Sequence, residues 1–488
     1  MTYHLTAPTC VQATIALPAS KSISNRALIL HALARGAQPP RNLSRCDDTD
    51  VMVRAFNPGC PSPERCQNPL ETERPAAQKA DETATDGPGT PQIIDIKAAG
   101  TAMRFLTAYL SVTPGSYLLT GTARMQQRPI GILVDALRWL GADIDYAGQE
   151  GFPPLLIRGR DPRGGAASAT VTTTAIASAI ATACASTTAT AEAGPEAAQS
   201  LTLPANISSQ YISALLMIGP LQPGGLRLTL TGDIISRPYI DLTLNLMRRY
   251  GAEADWTDRN TLTVTSGNYH DAALTVESDW SAASYWYEVL ALNAHGLKQH
   301  PLPIGEDEGP VHPSVELLGL SADSPQGDSR VAELFGRLGV RTAYTDRGVR
   351  LSPMGLPVAR LIEDLTDTPD LAQTLVVTCC LMGIPFRIGG LKSLRIKETD
   401  RIAALQTELH RLGYVVREEQ PGLLTWNGER SPLLPDPVVQ TYDDHRMAMA
   451  FAPACLTGTP IAIDHPEVVT KSYPNFWDHL RLAGFTVD

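Results

Sequence analysis

Lysine is scarce in this chain. Its 488 residues include only seven lysines against 51 acidic residues, and the formal net charge is −11. This acidic balance argues against a general nucleic-acid binder, which needs a basic surface. An acidic protein that binds an anion must gather its cations locally. The three lysines that fall within the motifs described below, Lys21, Lys397 and Lys471, are therefore informative.

Metal-binding cysteine patterns and long apolar runs are also missing. The eight cysteines form no CxxC pair, and none has a histidine at zinc-site spacing. Cys379 and Cys380 lie in an apolar segment that predicts buried thiols, whereas Cys60 and Cys66 lie in a polar loop and could pair, although reduced thiols are favoured. The first ten residues lack the basic and apolar parts of an export signal. With no run of membrane-spanning length, we expect a soluble, cytoplasmic protein.

What the sequence does contain is a repeat. An amphipathic helical pattern ends at a glycine and leads into an alternating strand pattern, because glycine readily adopts the left-handed conformation that closes a helix. The five glycines are Gly141, Gly251, Gly339, Gly413 and Gly484. More apolar helical segments alternate with these, at about 26–36, 102–115, 210–225, 281–296, 371–383 and 446–458. Together the two sets predict six copies of a βαβαββ-like unit in a mixed α/β fold.

Three regions depart from the repeat. Residues 57–91 are rich in Pro, Gly and Glu without apolar periodicity, which predicts a polar, mobile insertion. Residues 164–200 are rich in Ala, Thr and Ser, and fit a low-complexity loop or a weak strand pair equally well. Residues 297–330 contain several Pro and Gly residues and predict an irregular surface excursion.

The segment Leu17–Arg26 stands at the centre of the functional argument. Pro18 ends a predicted strand, and Ser20 or Ser22 can cap the helix that follows. Lys21 and Arg26 then lie beside a helix N-terminus, whose free N–H groups favour anions. An ordinary capped helix with two surface cations is the alternative, and it is favoured if this segment is taken alone.

Further helix starts carry small polar residues. Gly100 and Thr101 are predicted to begin a helix, where glycine allows a ligand to approach the backbone. The tandem Ser208 and Ser209 before Gln210 predict a helix cap, with a phosphate cradle as the second interpretation. The segment Ser236–Tyr239 repeats the arrangement. Arg124, on a predicted loop, could bind a carboxylate or phosphate, with a solvated arginine as the alternative.

The second half of the chain supplies charged groups. Asp370 stands at a predicted helix start, where an acidic residue usually acts as a cap. Lys397 and Arg401 are predicted to share one helix face, which places Glu398 beside two cations in a setting suited to proton transfer. A solvated, charged helix start is the alternative. The segment Asp444–Arg446 and Lys471 complete the set, and His445 could also be a structural histidine.

Taken together, these motifs resemble the 5-enolpyruvylshikimate-3-phosphate synthase family in order and approximate spacing. The segments that carry the resemblance are LPASKSISNR, AGTAMR, GTARMQQRPIG, SSQYISALLM, SRPYIDLTLNLM, SLRIKETDR, TYDDHRMAMA and TKSYPNF. The resemblance implies two domains of three βαβαββ units each, arranged as an inside-out α/β barrel. The domains implied are residues 1–20 with 277–488, and residues 21–276. It also implies that the domains close on the substrates.

The resemblance implies one reaction, in the shikimate pathway to chorismate and the aromatic amino acids. The 5-hydroxyl of shikimate 3-phosphate adds to C2 of phosphoenolpyruvate, and the adduct then loses phosphate to leave an enolpyruvyl ether. No metal or redox cofactor is implied. The implied partners are these two small substrates, with no nucleic acid or membrane, and a monomer is expected.

The resemblance also assigns roles by position. Asp370 would take the hydroxyl proton, Glu398 would protonate the methylene carbon, and Lys21 would be catalytic as well, touching both substrates and assisting proton transfer. The groups implied for shikimate 3-phosphate are Lys21, Ser22, Arg26, Ser208, Ser209, Gln210, Ser236, Asp370, Ser393 and Lys397. Those implied for phosphoenolpyruvate are Lys21, Gly100, Arg124, Gln210, Arg401, Arg446 and Lys471. Thr101, Tyr239, Asp444 and His445 would line the site.

The chain departs from the family pattern at three positions. Ala98 and Phe105 replace a common Asn and Pro, and Ser393 replaces an Asn that often contacts shikimate. None of these changes removes a charge or an acid–base group. Gly100, rather than Ala, leaves room for the inhibitor glyphosate, so we expect sensitivity to it.

Three alternatives are weaker. A UDP-N-acetylglucosamine enolpyruvyl transferase would have Asn in place of Ser22 and a Cys near Arg124, but residues 120–128 contain no Cys. A catalytically inactive scaffold, with 57–91 as its interaction surface, would not need Lys21, Asp370, Glu398 and Arg401 together. An RNA-processing cyclase is disfavoured by the acidic balance.

Overall fold

The computed structural model describes residues 1–56, 90–163, 198–206, 208–299, 312–434, 437–458 and 460–488. Cys60 and Cys66, nearly all of the predicted insertion 57–91 and most of the segment 164–200 lie outside these residues. The described helices are α1 Lys21–Ala34, α2 Asp47–Phe56, α3 Gly100–Ser111, α4 Gly131–Trp139, α5 Ser209–Ile218, α6 Arg237–Arg249, α7 Trp280–Gln299, α8 Val331–Gly336, α9 Ala372–Leu381, α10 Arg401–Arg411, α11 His445–Phe451 and α12 Phe476–Leu482.

The described strands are short. They are β1 Thr2–Thr6, β2 Gln12–Ala16, β3 Gln92–Asp95, β4 Gly115–Thr120, β5 Asp143–Tyr146, β6 Leu155–Gly159, β7 Gln199–Pro204, β8 Leu226–Thr231, β9 Ala254–Trp256, β10 Thr261–Val264, β11 Ser314–Leu318, β12 Val340–Thr345, β13 Gly348–Pro353, β14 Leu361–Asp364, β15 Phe386–Gly389, β16 Arg417–Gln420, β17 Leu423–Trp426, β18 Val438–Val439, β19 Ile461–Asp464 and β20 Thr486–Val487. With the helices, they make a mixed α/β fold.

The described strands form five four-stranded sheets. Three sheets have the same design, with strand orders β3-β4-β6-β5, β7-β8-β10-β9 and β14-β15-β17-β16. In each, the first two strands are parallel and joined through a helix, and the last two form an antiparallel hairpin. The element order is therefore β-α-β-α-β-β in these three sheets.

The other two sheets each take a strand from the start of the chain. Strand β2 is the edge of β12-β13-β11-β2, parallel to β11, and β1 lies between β19 and β20 in β18-β19-β1-β20. The sixth predicted copy, around α1 and α2, has no sheet of its own in the described part of the chain. There Arg41 only forms an isolated bridge with Thr275.

One predicted irregular region contains regular structure. Within 297–330, residues Ser314–Leu318 form β11, which pairs with β2 and β13. The prediction of an irregular excursion was therefore wrong for these residues. The strand depends on a partner about 300 residues earlier in the chain, which a local pattern does not reveal.

The helix-ending glycines are confirmed. Gly141, Gly251, Gly339, Gly413 and Gly484 have φ of +89°, +83°, +87°, +84° and +93°. This left-handed conformation costs little for glycine, and it turns the chain from each helix toward the next strand.

The described chain divides into two compact units. Unit 1 comprises residues 1–21, 44–46 and 277–488, and unit 2 comprises residues 22–43 and 47–276. Lys21 thus belongs to unit 1, whereas the domain boundary expected from the sequence placed it at the start of the other domain. The core of unit 1 surrounds α7, where Trp280, Trp286 and Tyr285 are buried. In unit 2, α3 packs against α5 and α5 against α6.

None of the helices described is both long enough and apolar enough to cross a membrane.

Candidate active site

Arg401 is the centre of a buried charged cluster in unit 1. It begins α10 after Asp400, whose side chain caps the helix by accepting from the Ala403 N–H. The Arg401 side chain is 2% exposed. Its Nε donates to Asp444 Oδ2 at 2.7 Å, its Nη1 to Asp370 Oδ1 at 3.0 Å and its Nη2 to Glu398 Oε2 at 3.0 Å. One guanidinium thus holds three carboxylates, including both predicted proton-transfer groups, Asp370 and Glu398.

Asp370 lies among cations. It belongs to a short 3-10 helix, Pro369–Leu371, that leads into α9. Arg446 Nη2 donates to its Oδ2 at 3.0 Å, and Lys397 Nζ lies 3.5 Å from its Oδ1. Burial by itself raises the pKa of this carboxyl, but Arg446, Lys397 and Arg401 outweigh that effect and lower the pKa far below its usual range. Asp370 is therefore ionised in this arrangement.

Lys397, which contacts Asp370, lies between two helices and belongs to neither. The predicted shared helix face of Lys397 and Arg401 was wrong, because α10 begins only at Arg401 and Lys397 follows the 3-10 helix Lys392–Ile396. Because the chain leaves regular structure here, Lys397 and Arg401 can both contact Asp370, and Glu398 can contact Arg401. Ser393 lies in the same 3-10 helix, and its buried Oγ has no hydrogen-bond partner among the described residues.

Glu398 is held between two cations. Its Oε2 accepts from Arg401, and its Oε1 lies 3.2 Å from Lys471 Nζ. Lys471 ends the 3-10 helix Pro466–Lys471 and has only 13% of its side chain exposed. The two lysines of the cluster thus pair with different carboxylates, Lys397 with Asp370 and Lys471 with Glu398.

The start of α11 brings Asp444, His445 and Arg446 into the cluster. Asp444 caps this helix by accepting from the Arg446 N–H at 2.9 Å. Tyr442 and Asp443, just before it, both have φ of +55°, a conformation that costs free energy for residues other than glycine. His445 is buried, and neither ring nitrogen has a hydrogen-bond partner in the described part of the chain. Burial lowers the His445 pKa well below its usual value, and Lys21 and Arg446 add to the effect.

Lys21 is attached to this unit through Asp279. The Lys21 backbone N–H donates to Asp279 Oδ2 at 3.2 Å. The other oxygen of Asp279 caps α7 by accepting from the Ser281 N–H at 2.7 Å. The backbone of Lys21 and the beginning of α7, both in unit 1, are therefore linked by one carboxylate.

Unit 2 also contains a buried cation, Arg26. It lies on α1 with 2% of its surface exposed. Its hydrogen bonds go to hydroxyl and carbonyl oxygens of Ser22, Ser213, Tyr239 and Thr243. No carboxylate of the described residues lies within ion-pair distance of it. Burial lowers the Arg26 pKa to about 10, so the side chain keeps its charge at neutral pH.

The remaining predicted groups of unit 2 lie at helix starts. Gly100 begins α3 and Ser208 caps α5, as predicted. Gln210 Nε2 donates to Thr101 Oγ1 at 3.0 Å, which brings these two helix starts together. A Cβ on Gly100 would lie 2.5 Å from Arg128 Nη1, so the Arg128 side chain limits the space beside Gly100. Glyphosate sensitivity stays a prediction.

Ser236 and Arg124 have distinct settings. Ser236 precedes α6 with φ of +58°, and its side chain makes no capping bond. It is buried, so its hydroxyl is held in a strained turn rather than used as an ordinary cap. Arg124 is exposed, just before the 3-10 helix Met125–Gln127. It has no ion-pair partner among the described residues.

Several residues at these clusters were not predicted. Asp328 is buried, accepts from the Ser281 hydroxyl, and has a pKa raised to about 6, chiefly by burial and next by the charge of Asp370. Tyr285 OH lies 3.5 Å from Arg446 Nη1. Asp279 could have been found as the acidic residue before an apolar helix, which is a capping signal. Ser213 and Thr243 carry no such signal, because hydroxyl residues inside helices are common.

The two units therefore provide complementary chemistry. Unit 1 holds carboxylates against lysines and arginines, which suits proton transfer beside bound anions. Unit 2 holds a buried cation, Arg26, with no counter-ion among the residues that the structure describes, together with helix starts rich in hydroxyl groups, which suits binding of an anionic, hydroxylated molecule.

Comparison with known proteins agrees with this chemistry. The family model described as EPSP synthase (3-phosphoshikimate 1-carboxyvinyltransferase) matches residues 5–203, 185–296 and 311–480. A protein of Bacteroides fragilis named 3-phosphoshikimate 1-carboxyvinyltransferase is 50% identical over 100% of this chain and 99% of its own length. One of the same name from Cellvibrio japonicus is 36% identical over 95% of each chain.

Solved structures give the same result for the fold. EPSP synthase from Acinetobacter baumannii superposes with a TM-score of 0.67, covering 100% of this chain and 99% of that one, at 19% identity. The family match over nearly the whole chain and the full-length relatives decide the assignment. The chain belongs to the EPSP synthase (3-phosphoshikimate 1-carboxyvinyltransferase) family.

Proposed function

We propose that the residues described above carry out the reaction of this family. The enolpyruvyl group of phosphoenolpyruvate is transferred to the 5-hydroxyl of shikimate 3-phosphate, and phosphate is released. Family membership supports the reaction, and the geometry supports the roles. The observation that carries the proposal is the buried Arg401 that holds both Asp370 and Glu398.

The first step forms the bond between the hydroxyl oxygen and C2 of phosphoenolpyruvate. Asp370 takes the hydroxyl proton, and Glu398 gives a proton to the C3 methylene. In the second step C3 returns its proton to Glu398, and the C2–O bond to phosphate breaks as the leaving phosphate takes the proton held by Asp370, which leaves the enolpyruvyl ether. The charge that develops on the phosphate is stabilised by nearby cations.

The cations around Asp370 control its strength as a base. In the arrangement described, Arg446, Lys397 and Arg401 hold its pKa far below the usual range, so it accepts a proton poorly. Anionic substrates that bind to Arg446 and Lys397 compete for these charges. The Asp370 pKa then rises toward its ordinary value, and the carboxylate becomes a base once both substrates are bound.

The binding roles follow the chemistry of each group. In unit 2, Ser22 and Arg26 bind the shikimate carboxylate, Ser208, Ser209 and Ser236 bind its phosphate, and Tyr239 lines the site. In unit 1, Lys397 adds to phosphate binding, and Ser393, whose hydroxyl has no partner among the described residues, contacts the shikimate ring. Phosphoenolpyruvate is bound by Lys21, Gly100, Arg124, Gln210, Arg401, Arg446 and Lys471.

The finer architecture belongs to the same proposal. We expect two domains that each form three βαβαββ units in an inside-out α/β barrel, and a monomer in solution. The shared strand order of three described sheets and the structural similarity to an EPSP synthase support the arrangement of the units. Light scattering of the purified chain measures the oligomeric state.

Phosphate release by the purified protein tests the roles. We expect release only when shikimate 3-phosphate and phosphoenolpyruvate are both present. Lys21→Ala and Glu398→Ala should each lower kcat by at least about 100-fold, since a positioned acid–base group contributes about 10²–10⁴. Lys298→Ala is the matched control, because Lys298 is exposed and its hydrogen bond within the described residues goes to the Gly355 carbonyl.

Two results would contradict the proposal. Wild-type protein that binds both substrates without releasing phosphate would favour the scaffold alternative. Release that survives Glu398→Ala at the wild-type rate would remove Glu398 from proton transfer.

A further inference from the structure

Arg26 is enclosed by a set of neutral oxygen atoms, which we call the Arg26 clamp. It consists of the Ser213 and Thr243 hydroxyls and the carbonyls of Ser22 and Tyr239. Both hydroxyl side chains are fully buried. The clamp joins three helices of unit 2, since Arg26 comes from α1, Ser213 from α5 and Thr243 from α6.

The distances show which groups of the clamp are hydrogen-bonded, and the nature of each group decides which one donates. Thr243 Oγ1 lies 2.7 Å from Arg26 Nε, 2.8 Å from the Tyr239 carbonyl oxygen and 2.8 Å from Ser213 Oγ. Arg26 can only donate and the carbonyl can only accept, so the Thr243 proton goes to Tyr239. The Ser213 proton must then go to Thr243, which leaves Ser213 Oγ free to accept from Arg26 Nη2 at 3.2 Å.

The clamp uses four of the five guanidinium N–H groups. Nε donates to Thr243, Nη2 donates to Ser213 and to the Tyr239 carbonyl, and Nη1 donates to the Ser22 carbonyl at 3.0 Å. Among the described residues, the second Nη1 hydrogen has no acceptor. The Phe105 ring, 5.2 Å from Arg26 Cζ, packs beside the guanidinium and further limits its movement.

Within the described part of the chain, no carboxylate compensates the charge of Arg26, and every clamp oxygen is neutral. A carboxylate in place of Ser213 or Thr243 would satisfy the same hydrogen bonds, but it would also neutralise the cation. With neutral oxygens, the guanidinium is fixed in place while its charge has no carboxylate partner and one N–H has no acceptor among the described residues.

We infer that Ser213 and Thr243 are positioning residues that hold Arg26 so that one Nη1 hydrogen faces the carboxylate of shikimate 3-phosphate. The inference rests on the proposed role of Arg26. It adds that the substrate carboxylate accepts a single hydrogen bond from this arginine rather than a bidentate pair. It also adds that the hydroxyl of Thr243 sets the orientation of the guanidinium.

Kinetic constants of Thr243→Val test the inference. Valine keeps the shape of threonine but cannot accept from Arg26 Nε, so the guanidinium can rotate away. We expect the KM for shikimate 3-phosphate to rise about tenfold or more, the loss typical of a hydrogen bond to a charged group. The KM for phosphoenolpyruvate and kcat should stay within about twofold. Thr243→Ser, which restores the hydroxyl, should return the KM to near the wild-type value.

Thr107→Val is the matched control. Thr107 is also a buried helical threonine of unit 2, but its hydroxyl donates to the Met103 carbonyl at 2.6 Å and does not contact Arg26. Its KM for shikimate 3-phosphate should remain at the wild-type value. If Thr243→Val does not fold, Ser213→Ala serves instead, since it removes the acceptor of one Nη2 hydrogen.

Arg26→Lys separates failure of the inference from failure of the proposed role. If Arg26→Lys raises the KM for shikimate 3-phosphate and Thr243→Val does not, Arg26 binds the substrate but needs no clamp, and the inference is wrong. If neither variant changes that KM, the role of Arg26 is wrong as well. An equal rise in both KM values for Thr243→Val would indicate general loss of structure and would also overturn the inference.

Discussion

Glu288 is an acidic side chain enclosed in the core of unit 1. It lies on α7 and is fully buried, and neither carboxyl oxygen has a hydrogen-bond partner among the described residues. The neighbouring Thr378 hydroxyl opposes the effect of burial on the Glu288 pKa, but its own proton goes to the Thr374 carbonyl at 2.7 Å, so toward Glu288 it can act only as an acceptor. Burial raises the Glu288 pKa well above its usual value, so the folded protein holds this group as the neutral acid.

The raised pKa makes stability depend on pH at this residue. Between the ordinary glutamate pKa of about 4.3 and the higher folded value, the folded state binds a proton that the unfolded state has released. The free energy of unfolding therefore falls as pH rises, by up to about 1.4 kcal/mol per pH unit. Glu288→Gln should remove this dependence and make the protein more stable at pH 8, as measured by urea unfolding from pH 5 to 8.

Glu408→Gln provides the contrast. Glu408 is also fully buried, but it accepts from Tyr442 OH at 2.6 Å and from Arg411 and the Gln440 N–H. Its amide variant should lose stability at pH 8, by about 1–3 kcal/mol. If Glu288→Gln is destabilised to the same extent, the neutral state of Glu288 is wrong.

At the residue scale, the sequence singled out charged residues that lie together in the structure, but not the neutral groups that contact Arg26. Asp370, Glu398 and Arg401 stood out because acidic and basic residues gathered in short motifs beside predicted helices. Ser213 and Thr243 could not be found in that way. Their role arises where three helices meet, and that meeting depends on packing rather than on any local pattern.

The helix-ending glycines allow a prediction at the scale of one element. Gly339 follows α8 with φ of +87°, and a Cβ there would lie 3.2 Å from the Met354 carbonyl oxygen. Gly339→Ala should lower the free energy of unfolding by about 1–2 kcal/mol, the cost of the left-handed conformation for a side chain. Thermal or urea unfolding measures the loss.

Gly336, three residues earlier, is the internal control. It is the last residue of α8, and a Cβ there would meet no atom within 4 Å. Gly336→Ala should stabilise the protein by about 0.4–1 kcal/mol, because alanine restricts the unfolded chain. Equal losses in the two variants would mean that chain reversal at Gly339 does not depend on glycine.

Elements defined by local signals were predicted well, and those defined by distant partners were not. The starts of α3 and α5 and the five closing glycines agree with the structure because caps and turns are encoded within a few residues. Strand β11 was missed because its neighbour β2 lies about 300 residues earlier in the chain. The segment around Lys397 was assigned to a helix because charge spacing alone does not show where a helix begins.

At the scale of the whole molecule, unit 1 depends on a strand from the beginning of the chain. Strand β1 pairs with β19 on one side and β20 on the other, and Leu5 is buried in the unit 1 core. Leu5→Ala should lower the free energy of unfolding by about 2–5 kcal/mol, since it leaves a cavity in that core. Thr6→Ala, at an exposed position of the same strand, should change it by less than about 0.5 kcal/mol. Urea unfolding of both variants measures the difference.

The same strand pairing has a consequence for synthesis on the ribosome. All residues of unit 2 have been made when residue 276 leaves the ribosome, whereas β1 must wait for residues 461–464 and 486–487. At roughly 5–20 residues per second, that wait lasts on the order of ten seconds or more. During this interval strand β1 is unpaired, and Leu5, which is buried in the folded protein, has no core to pack against. We therefore expect chaperones to bind the first residues of the nascent chain.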